Sequence, residues 1–424
     1  MRKTIWTLTL MSALAACTGC GVGRKTTSDV GKNDSKAASG FAYSGISMSK
    51  RMVRSEMRRN PEATYIDGMK GEYKWNYTTG LELLSFLEVC LTYDDDSIYP
   101  YVFNWYDGII AADGSISSYK PWNYTLDHIC PGEALLALYA LDFGENGALL
   151  PKFRRAMRIL RMQLEEQPRI PDGGFWHKKA YPDQMWLDGL YMAELFYTDY
   201  AMLYESGAKR DSSLNDVTDQ FVLAAKHTFD PATGLYRHAY DDSRKMFWCD
   251  PITGQSKHAW GRAEGWYMMA MADVIDKMPV TYDRRAEIVS IFQNLVEQLP
   301  RYADPKTGMW YQVMDRPGAE GNYVEATCSA MFVYSMLKGI RIGVLDESLL
   351  PYARQCYERL CSTFITSDGD GILTLHKCCA VAGLGGKENR SGDYDYYINC
   401  KVVDNDPKGV GPFILASLEY EMLK

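Results

Sequence analysis

Apolar residues recur every three to four positions in long stretches of the chain, which is the spacing of one face of an α-helix. Such stretches are GLELLSFLEVC (80–90), PGEALLALYALDF (131–143), FRRAMRILRMQLEEQ (153–167), DGLYMAELFYTDYAMLYE (188–205), AEGWYMMAMADVIDKM (263–278) and TCSAMFVYSMLKGIRIG (327–343). Alternating patterns of β-branched residues, which would indicate strands, are sparse. The pattern therefore predicts a mostly α-helical fold.

A short phrase that joins glycine to aromatic residues recurs between these stretches. It reads GGFWH from 173, GLYRH from 234, GMWYQ from 308 and, more weakly, GILTL from 371, at spacings of 61, 74 and 63 residues. Two helices and long loops fit within each interval, so the spacing indicates a diverged repeat of helical hairpins. Hairpins arranged in a closed ring form an α/α barrel, in which the loops at one mouth line the pocket.

Composition narrows the class of protein further. The chain has 424 residues, 46% of them hydrophobic and 24% charged, and no composition break divides the part after residue 60, so one domain is the simplest organisation. The formal net charge of −8 and the lack of Lys and Arg runs after residue 60 argue against nucleic acid as a partner. The 10 Trp and 30 Tyr suit sites that stack on sugars, although core packing also uses such rings.

The N-terminus has the layout of a secretory signal, with a basic start, a short apolar run and small residues before a cysteine. The stretch LAAC (Leu14 to Cys17) resembles a bacterial lipobox, which implies cleavage before Cys17 and attachment of lipid to that cysteine. We therefore expect a signal peptide over residues 1–17, a flexible tether over 18–40 and the folded domain over 41–424.

These features predict an exported protein, anchored by lipid in the bacterial cell envelope and facing the periplasm or the cell surface. Membrane contact is then expected only through the lipid anchor, because the apolar run is too short to span a bilayer. A plain signal peptide that is cut before a free cysteine is the alternative.

Two aspartates are candidates for acid–base chemistry. Pro182 suits the first turn of a helix, which would place Asp188 a turn further in, on a largely apolar and aromatic face. A carboxylate there is costly unless it is paired or protonated, so Asp188 is the best candidate for a general acid/base, with a structural role as the alternative. Asp127 lies in the loop before Pro131, and its spacing alone does not distinguish a turn residue from a catalyst.

An arginine and several histidines are candidates for ligand contacts. Arg262 shares a predicted helix face with Trp266, and its guanidinium favours a planar carboxylate, supplied by a ligand, by Glu264 or by another acid of the protein. Three of the phrases expected at the mouth each hold one histidine, namely His128 after Asp127, His177 after Trp176 and His238 after Arg237. No spacing among the histidines or the 11 cysteines is typical of a metal site, so we predict neither a metal nor a cofactor.

Several phrases together resemble glycoside hydrolase family 105, the unsaturated rhamnogalacturonyl hydrolases, which are related to the unsaturated glucuronyl hydrolases of family 88. The phrases are WNYTTGLELL, LDHICPGEAL, GGFWHKKAYPDQMWLDGLYM, GLYRHAYD, HAWGRAEGW and NDPKGVGPFILASLE, and the resemblance runs from about residue 48 to 424. It implies an (α/α)6 barrel whose pocket takes a Δ4,5-unsaturated galacturonyl residue at the end of a lyase-generated pectin oligosaccharide.

The resemblance also implies roles for individual positions. The Asp of WLDGLYM, Asp188, would protonate C4 of the double bond and assist water attack at C5, and the Asp of LDH, Asp127, would tune or orient it. Arg262 would hold the uronate carboxylate. The other implied contacts with the substrate are Tyr77, His177, His238, Trp260, Trp266 and Glu325.

Three other functions compete with this one. An unsaturated glucuronyl hydrolase that acts on glycosaminoglycan fragments would share the fold and the acid pair. A non-catalytic, lipid-anchored sugar-binding protein would need no buried acid. An ordinary inverting α/α-barrel glycosidase would need a Glu acid in an early helix, and Glu82 and Glu133 are expected at helix surface positions instead.

Overall fold

The computed structural model describes residues 46–142 and 150–423. The predicted signal peptide over 1–17, its lipid-attachment residue Cys17 and the tether over 18–40 lie outside the described residues. Within the described ranges, none of the helices combines the length and the apolar character that crossing a bilayer requires.

The described chain is mostly helical. Its α-helices are α1 (Met48–Arg59), α2 (Tyr77–Tyr93), α3 (Tyr99–Ile109), α4 (Gly132–Asp142), α5 (Leu150–Glu166), α6 (Leu187–Tyr204), α7 (Gly207–Thr228), α8 (Gly261–Lys277), α9 (Arg285–Tyr302), α10 (Ala326–Arg341), α11 (Leu350–Phe364), α12 (Tyr394–Ile398) and α13 (Pro407–Met422). Short 3₁₀ turns cover Ala63–Gly68, Pro121–Asn123, Leu126–His128 and Glu347–Leu349.

Six of these helices form a closed inner ring. Helices α2, α4, α6, α8, α10 and α13 follow one another around it, and α13 packs back against α2. Outside them lie α3, α5, α7, α9 and α11, each against the inner helix that precedes it, and α1 covers α13. The structure thereby confirms the predicted (α/α)6 barrel in a single domain.

Burial distinguishes the two layers. In α8 every residue from Gly261 to Ile275 is buried, and in α10 every residue from Ala326 to Ile340 is buried, as expected for helices covered on all sides. The outer helix α11 buries one stripe at helical spacing, which consists of Ala353, Cys356, Tyr357, Leu360, Cys361 and Phe364. The inner layer therefore supplies the core, and the outer helices cover it with one face each.

Two glutamates correct an expectation from the sequence. Glu82 on α2 is 1% exposed and Glu133 on α4 is 3% exposed, so neither occupies the helix surface position that was predicted for it. Both lie on inner helices, where apolar periodicity does not separate an outward face from an inward one.

All six inner helices begin at the same end of the barrel, which we call the mouth, and finish at the other end, which we call the floor. Helix α1 runs in the opposite direction and starts at the floor, where the Ser49 amide donates to Glu421 near the end of α13 (3.0 Å). Lys50 pairs there with Asp95, just after α2 (2.9 Å). The described chain therefore enters the barrel from the floor side.

Short antiparallel ladders stiffen the long loops at the mouth. The strands are β1 (Gln184–Trp186), β2 (Phe229–Asp230), β3 (Leu235–Tyr236), β4 (Ala239–Asp241), β5 (Ile365–Ser367), β6 (Leu373–Leu375), β7 (Cys378–Cys379) and β8 (Val402–Val403), paired β1–β4, β2–β3, β5–β6 and β7–β8. In the β1–β4 ladder Trp186 lies opposite Ala239, and the Leu187 amide donates to the His238 carbonyl (3.1 Å). This register fixes the loop that carries His238 against the start of α6.

A cavity of about 530 Å³ lies at the floor and is formed by all six inner helices. Its charged lining is held in ion pairs, among them Lys277 with Asp199, Lys338 with Asp273 (2.7 Å) and Arg341 with Glu419 (2.6 Å). It contains none of the residues for which the sequence predicts a role at the site.

Candidate active site

The mouth gathers the predicted site residues because the inner helices begin there. Tyr77 is the first residue of α2, while Asp188 and Arg262 are the second residues of α6 and α8. Burial raises the pKa of the Tyr77 phenol well above its ordinary value, and the charges of Asp127 and Asp188 raise it further while Arg262 opposes them. The phenol therefore lies within electrostatic reach of both carboxylates and of the guanidinium.

Asp127 occupies the 3₁₀ turn Leu126–His128, and its carboxylate contacts a histidine and a lysine. Its Oδ1 lies 3.2 Å from Nε2 of His177, and its Oδ2 accepts from Nζ of Lys178 at 2.9 Å. Burial favours the neutral acid, but Lys178 and His177 outweigh it and hold the pKa of Asp127 well below its usual range. Asp127 is therefore ionised at any pH at which the fold is expected to be stable.

Asp188 stands in different surroundings. Its Oδ2 lies 3.2 Å from Nε2 of His238, and the side chain is 15% exposed. Both of these atoms are buried, and neither makes a hydrogen bond of good geometry with any other group of the described residues. No lysine or arginine is paired with Asp188 there, so this carboxyl lacks the cation that keeps Asp127 ionised.

The two histidines act beneath the carboxylates. His177 is 3% exposed and His238 is fully buried, and each directs Nε2 at one of the aspartates. In this structure they lie against Asp127 and Asp188 and are less exposed than those aspartates. The predicted contact of the two histidines with the substrate stays a prediction.

Trp186, which the sequence did not single out, separates the two histidines. The His177 ring stacks on its indole at 4.9 Å with an interplanar angle of 3°, and the His238 ring meets it edge-on at 5.1 Å. Tyr181 stacks on the same indole at 5.2 Å. Trp186 precedes α6 directly, so the element that carries Asp188 also fixes the supports of both carboxylates.

Gly189 makes room for this arrangement. A Cβ at this position would lie 3.0 Å from Cδ1 of Leu126 and 3.2 Å from Nδ1 of His177, closer than ordinary van der Waals contact. The glycine that follows Asp188 therefore lets α6 approach the turn that carries Asp127.

Arg262 and Glu325 pair with each other beneath the mouth. Arg262 is 2% exposed, its Nη2 lies 3.3 Å from Oε1 of Glu325, and the same nitrogen donates to the carbonyl of Cys379. Glu325 is fully buried and also accepts from the amides of Cys328 (2.7 Å) and Cys379 (2.8 Å). The partner of Arg262 is therefore an acid of the protein, as the alternative reading allowed, although it is Glu325 and not Glu264.

This placement changes what is expected of both residues. Glu325 has protein donors on both oxygens and no exposed surface, so in this structure it supports the start of α10, and its contact with a ligand stays a prediction. Contact between Arg262 and a uronate carboxylate stays a prediction.

The predicted aromatic contacts differ in exposure. Trp260 and Trp266 are buried, whereas Tyr77 is partly exposed and packs edge-on against Trp266 at 6.4 Å. Nε1 of Trp260 donates to Oε1 of Gln312 (3.1 Å), and its ring lies 4.7 Å from that of His238. The two tryptophans shape the site from below, and Tyr77 is the one of the three that can touch a ligand directly.

Sequence reasoning also missed Lys178, which follows His177 in the phrase GGFWHKK. Its contact with Asp127 spans 51 positions along the chain, so no local pattern indicates it.

Across residues 46–142 and 150–423, no three side chains of His, Cys, Asp or Glu are arranged so that they could hold a metal ion.

A closed ring of six helical hairpins with two histidine-backed carboxylates at its mouth is an architecture shared with glycoside hydrolases of the α/α-barrel class. A family model described as Glycosyl Hydrolase Family 88 matches residues 48–424, and the chain belongs to this family. The match confirms the predicted family relationship and the glycoside hydrolase activity.

Individual proteins are similar over most of the chain. A solved family 105 glycoside hydrolase from C. acetobutylicum ATCC 824 is 40% identical, with a TM-score of 0.82 over 89% of this chain and 100% of that one. The unsaturated rhamnogalacturonyl hydrolase YesR of Bacillus subtilis (strain 168) is 29% identical over 308 residues, 72% of this chain and 79% of YesR. A solved unsaturated glucuronyl hydrolase from Bacillus sp. GL1 shares the fold at 13% identity, with a TM-score of 0.58 over 87% of this chain and 94% of that one.

Proposed function

We propose that the protein removes a terminal Δ4,5-unsaturated galacturonyl residue from lyase-generated rhamnogalacturonan oligosaccharides by hydrating the C4–C5 double bond. The observation that carries this proposal is the unequal surroundings of the two carboxyls. Asp127 is held as an anion by Lys178, while Asp188 pairs only with an imidazole. Asp127 thus has a cation beside it and Asp188 has none, so we assign the anion to Asp127 and the proton donor to Asp188, the division that acid-catalysed hydration needs.

The chemistry follows from that division. Asp188 donates its proton to C4, and the positive charge that develops at C5 and the ring oxygen is stabilised by the fixed anion of Asp127. Water then adds to C5 and returns a proton to Asp188, which restores the acid. The resulting hemiketal opens and expels the neighbouring sugar, so the glycosidic bond breaks without direct attack at its own carbon.

The choice of the galacturonyl substrate is supported by the named relative. YesR is an unsaturated rhamnogalacturonyl hydrolase and aligns over most of both chains, whereas the glucuronyl hydrolase is similar only at the level of the fold. Within the site we assign Tyr77 to direct contact with the sugar, because it is partly exposed and both carboxylates act on its phenol electrostatically. We assign Arg262 to the uronate carboxylate.

The test is to incubate residues 46–424 with unsaturated disaccharides made by polysaccharide lyases and to follow the ultraviolet absorbance of the double bond. Loss of absorbance with the rhamnogalacturonan disaccharide but not with glycosaminoglycan disaccharides supports the proposal. Loss only with the glycosaminoglycan products would favour a glucuronyl hydrolase, and loss with none of them would contradict hydration of a double bond.

We also propose that the chain is exported and lipid-anchored through Cys17 in the cell envelope, with no other membrane contact. The lipobox-like stretch LAAC supports this location. Labelling of the full chain with radioactive palmitate in a bacterial host should be lost in Cys17→Ser, and equal labelling of both chains would contradict the anchor.

A further inference from the structure

Tyr397 lies behind the pair formed by Asp188 and His238, and no motif of the sequence indicates it. Its hydroxyl is 2.8 Å from Nδ1 of His238, and both side chains are fully buried. The three groups therefore form a continuous line from the core to the mouth, with the imidazole between the phenol and the carboxyl.

The phenol is fixed in place from two sides. Its backbone carbonyl accepts from Nε2 of Gln312 (3.2 Å), whose Oε1 accepts from Nε1 of Trp260 (3.1 Å). Its ring stacks near that of Trp260 at 6.1 Å. Because these contacts hold the ring without using the hydroxyl, the hydroxyl is left to act on His238.

The direction of the Tyr397–His238 hydrogen bond follows from what each buried group needs. Nδ1 of His238 is the acceptor that the described residues bring within reach of the Tyr397 hydroxyl. If the imidazole donated instead, the phenol proton would be buried without an acceptor, which is unfavourable by about 1–3 kcal/mol. Burial also raises the pKa of Tyr397 well above its ordinary value, so the phenol keeps its proton.

A hydroxyl that donates to Nδ1 leaves the imidazole proton on Nε2. Nε2–H then lies beside Oδ2 of Asp188, the buried oxygen of that carboxyl, at 3.2 Å but without the geometry of a hydrogen bond. Since the side chain is 15% exposed while Oδ2 is buried, the exposed part of the carboxyl is on the Oδ1 side. A proton on Oδ2 would face the N–H dipole of the imidazole, so the favoured place for a proton on Asp188 is Oδ1.

The opposite tautomer would have the reverse effect. With a lone pair on Nε2, the acidic proton of Asp188 would bind between Oδ2 and the imidazole, on the side away from the mouth. We propose that Tyr397 is a positioning residue that selects the Nε2–H tautomer of His238 and thereby keeps the transferable proton of Asp188 on the oxygen that faces the substrate. This inference rests on the proposed role of Asp188 as the acid.

The decisive variant is Tyr397→Phe, which removes the hydroxyl and retains the ring that packs on Trp260. We expect kcat to fall on the order of tenfold with KM unchanged, because the proton is misplaced while the substrate pocket is intact. Tyr394→Phe is the matched control, since it lies on the same short helix and its hydroxyl donates to the carbonyl of Glu320 (2.8 Å). Equal kcat values for Tyr397→Phe and wild type would overturn the proposal.

A measurement without substrate separates this inference from the proposed function. Nitrogen NMR of histidine-labelled protein reports which ring nitrogen carries the proton, and the His238 signals are assigned by their absence in His238→Gln. We expect Nε2 to be protonated in wild type and this preference to be lost in Tyr397→Phe. A wild-type imidazole protonated on Nδ1 alone would overturn the proposal, even if Tyr397→Phe did not fold. Inactivity of the wild type on every unsaturated disaccharide would instead contradict the proposed function.

Discussion

Asp127 and Asp188 carry the same functional group, yet they have different neighbours. Lys178 approaches Asp127 to 2.9 Å, whereas the partner of Asp188 is an imidazole with a phenol behind it. In a partly buried site, a neighbouring cation favours the charged form of a carboxyl. At the residue scale, the two carboxyl sites thus differ by a single lysine, and the proposed division between acid and anion rests on that difference.

Asp188→Asn should lower turnover on an unsaturated uronyl disaccharide by on the order of a hundredfold or more, because an amide cannot donate the proton. Folding should be retained, since Asn has the same shape. Asp183→Asn is the control, as this residue lies in the preceding loop with a φ of 61° that Asn tolerates. Thermal unfolding checks the fold, and wild-type turnover of Asp188→Asn would rule out the assigned role.

Lys178→Met should move the acidic limb of the kcat/KM profile to higher pH. Lys178 holds the pKa of Asp127 down, whereas burial acts in the opposite direction, so removal of the cation lets that pKa rise. Asp127 then becomes neutral at a pH where the wild-type carboxyl is still charged. The neighbouring exposed Lys179, whose side chain does not bond Asp127, supplies the control Lys179→Met, and identical acidic limbs in the two variants would contradict the prediction.

The sequence indicated both carboxylates as candidates but not the depth of the residues around them. An acid on an apolar helix face is visible in a local pattern, and the family resemblance adds the second acid. Burial is not visible in this way, so the sequence did not predict that His177 and His238 are buried against the aspartates. Tyr397 is 159 positions from His238, and only the folded chain brings them together.

At the scale of elements, the start of α6 also depends on a contact between segments that are far apart in the sequence. Pro182 predicted a helix from that point, but α6 begins at Leu187 because Gln184–Trp186 pair with Ala239–Asp241. A proline shows only that a helix could start at its position. The strand Ala239–Asp241, more than 50 residues away in the sequence, pairs with the backbone of Gln184–Trp186 and so prevents those residues from joining the helix. The long helical stretches themselves were recognised correctly, since their burial depends on periodicity within one segment.

Gly80→Ala tests how closely the inner helices must approach. A Cβ at this position would lie 2.7 Å from Cα of Pro131, so α2 and the start of α4 would have to separate. We expect a loss of about 1–3 kcal/mol in the free energy of unfolding, measured by chemical denaturation. The control Gly369→Ala adds the same methyl group in open space. Equal stability of the two variants would show that the contact is not tight.

At the scale of the whole molecule, the barrel contains several glutamates whose burial raises their pKa. Glu82, Glu133 and Glu194 lie on inner helices and have pKa values well above the ordinary value, and burial raises the pKa of Glu264 to about 8. A folded state that binds protons more tightly than the unfolded chain loses stability as pH rises. The fold should therefore be less stable at pH 8 than at pH 5.

Glu264→Gln isolates one of these contributions. The stabilisation from the protonated acid is complete below the unfolded pKa near 4.5 and is lost as pH rises to about 8. The neutral side-chain amide of Gln still accepts from the backbone N–H of Tyr236. The substitution removes a pH-dependent contribution of roughly 4–5 kcal/mol, as an upper bound, to the free energy of unfolding. Unfolding free energies at several pH values should show a flatter profile than wild type or Glu297→Gln, an exposed control. A profile as steep as wild type would contradict the assignment.

The ring itself was predictable because a repeated phrase and a family resemblance both indicate it. How the ring closes was not predictable, since none of the recurring phrases lies near α1. Helix α1 completes the outer layer by covering α13, so the two ends of the folded domain meet.

This closure also determines how the enzyme can be presented to its surroundings. Because α1 starts at the floor, the first described residue, Ile46, lies on the side of the barrel opposite the two carboxylates. The approach to the mouth is therefore clear of the N-terminal end of the described chain, and an oligosaccharide end can enter from that side.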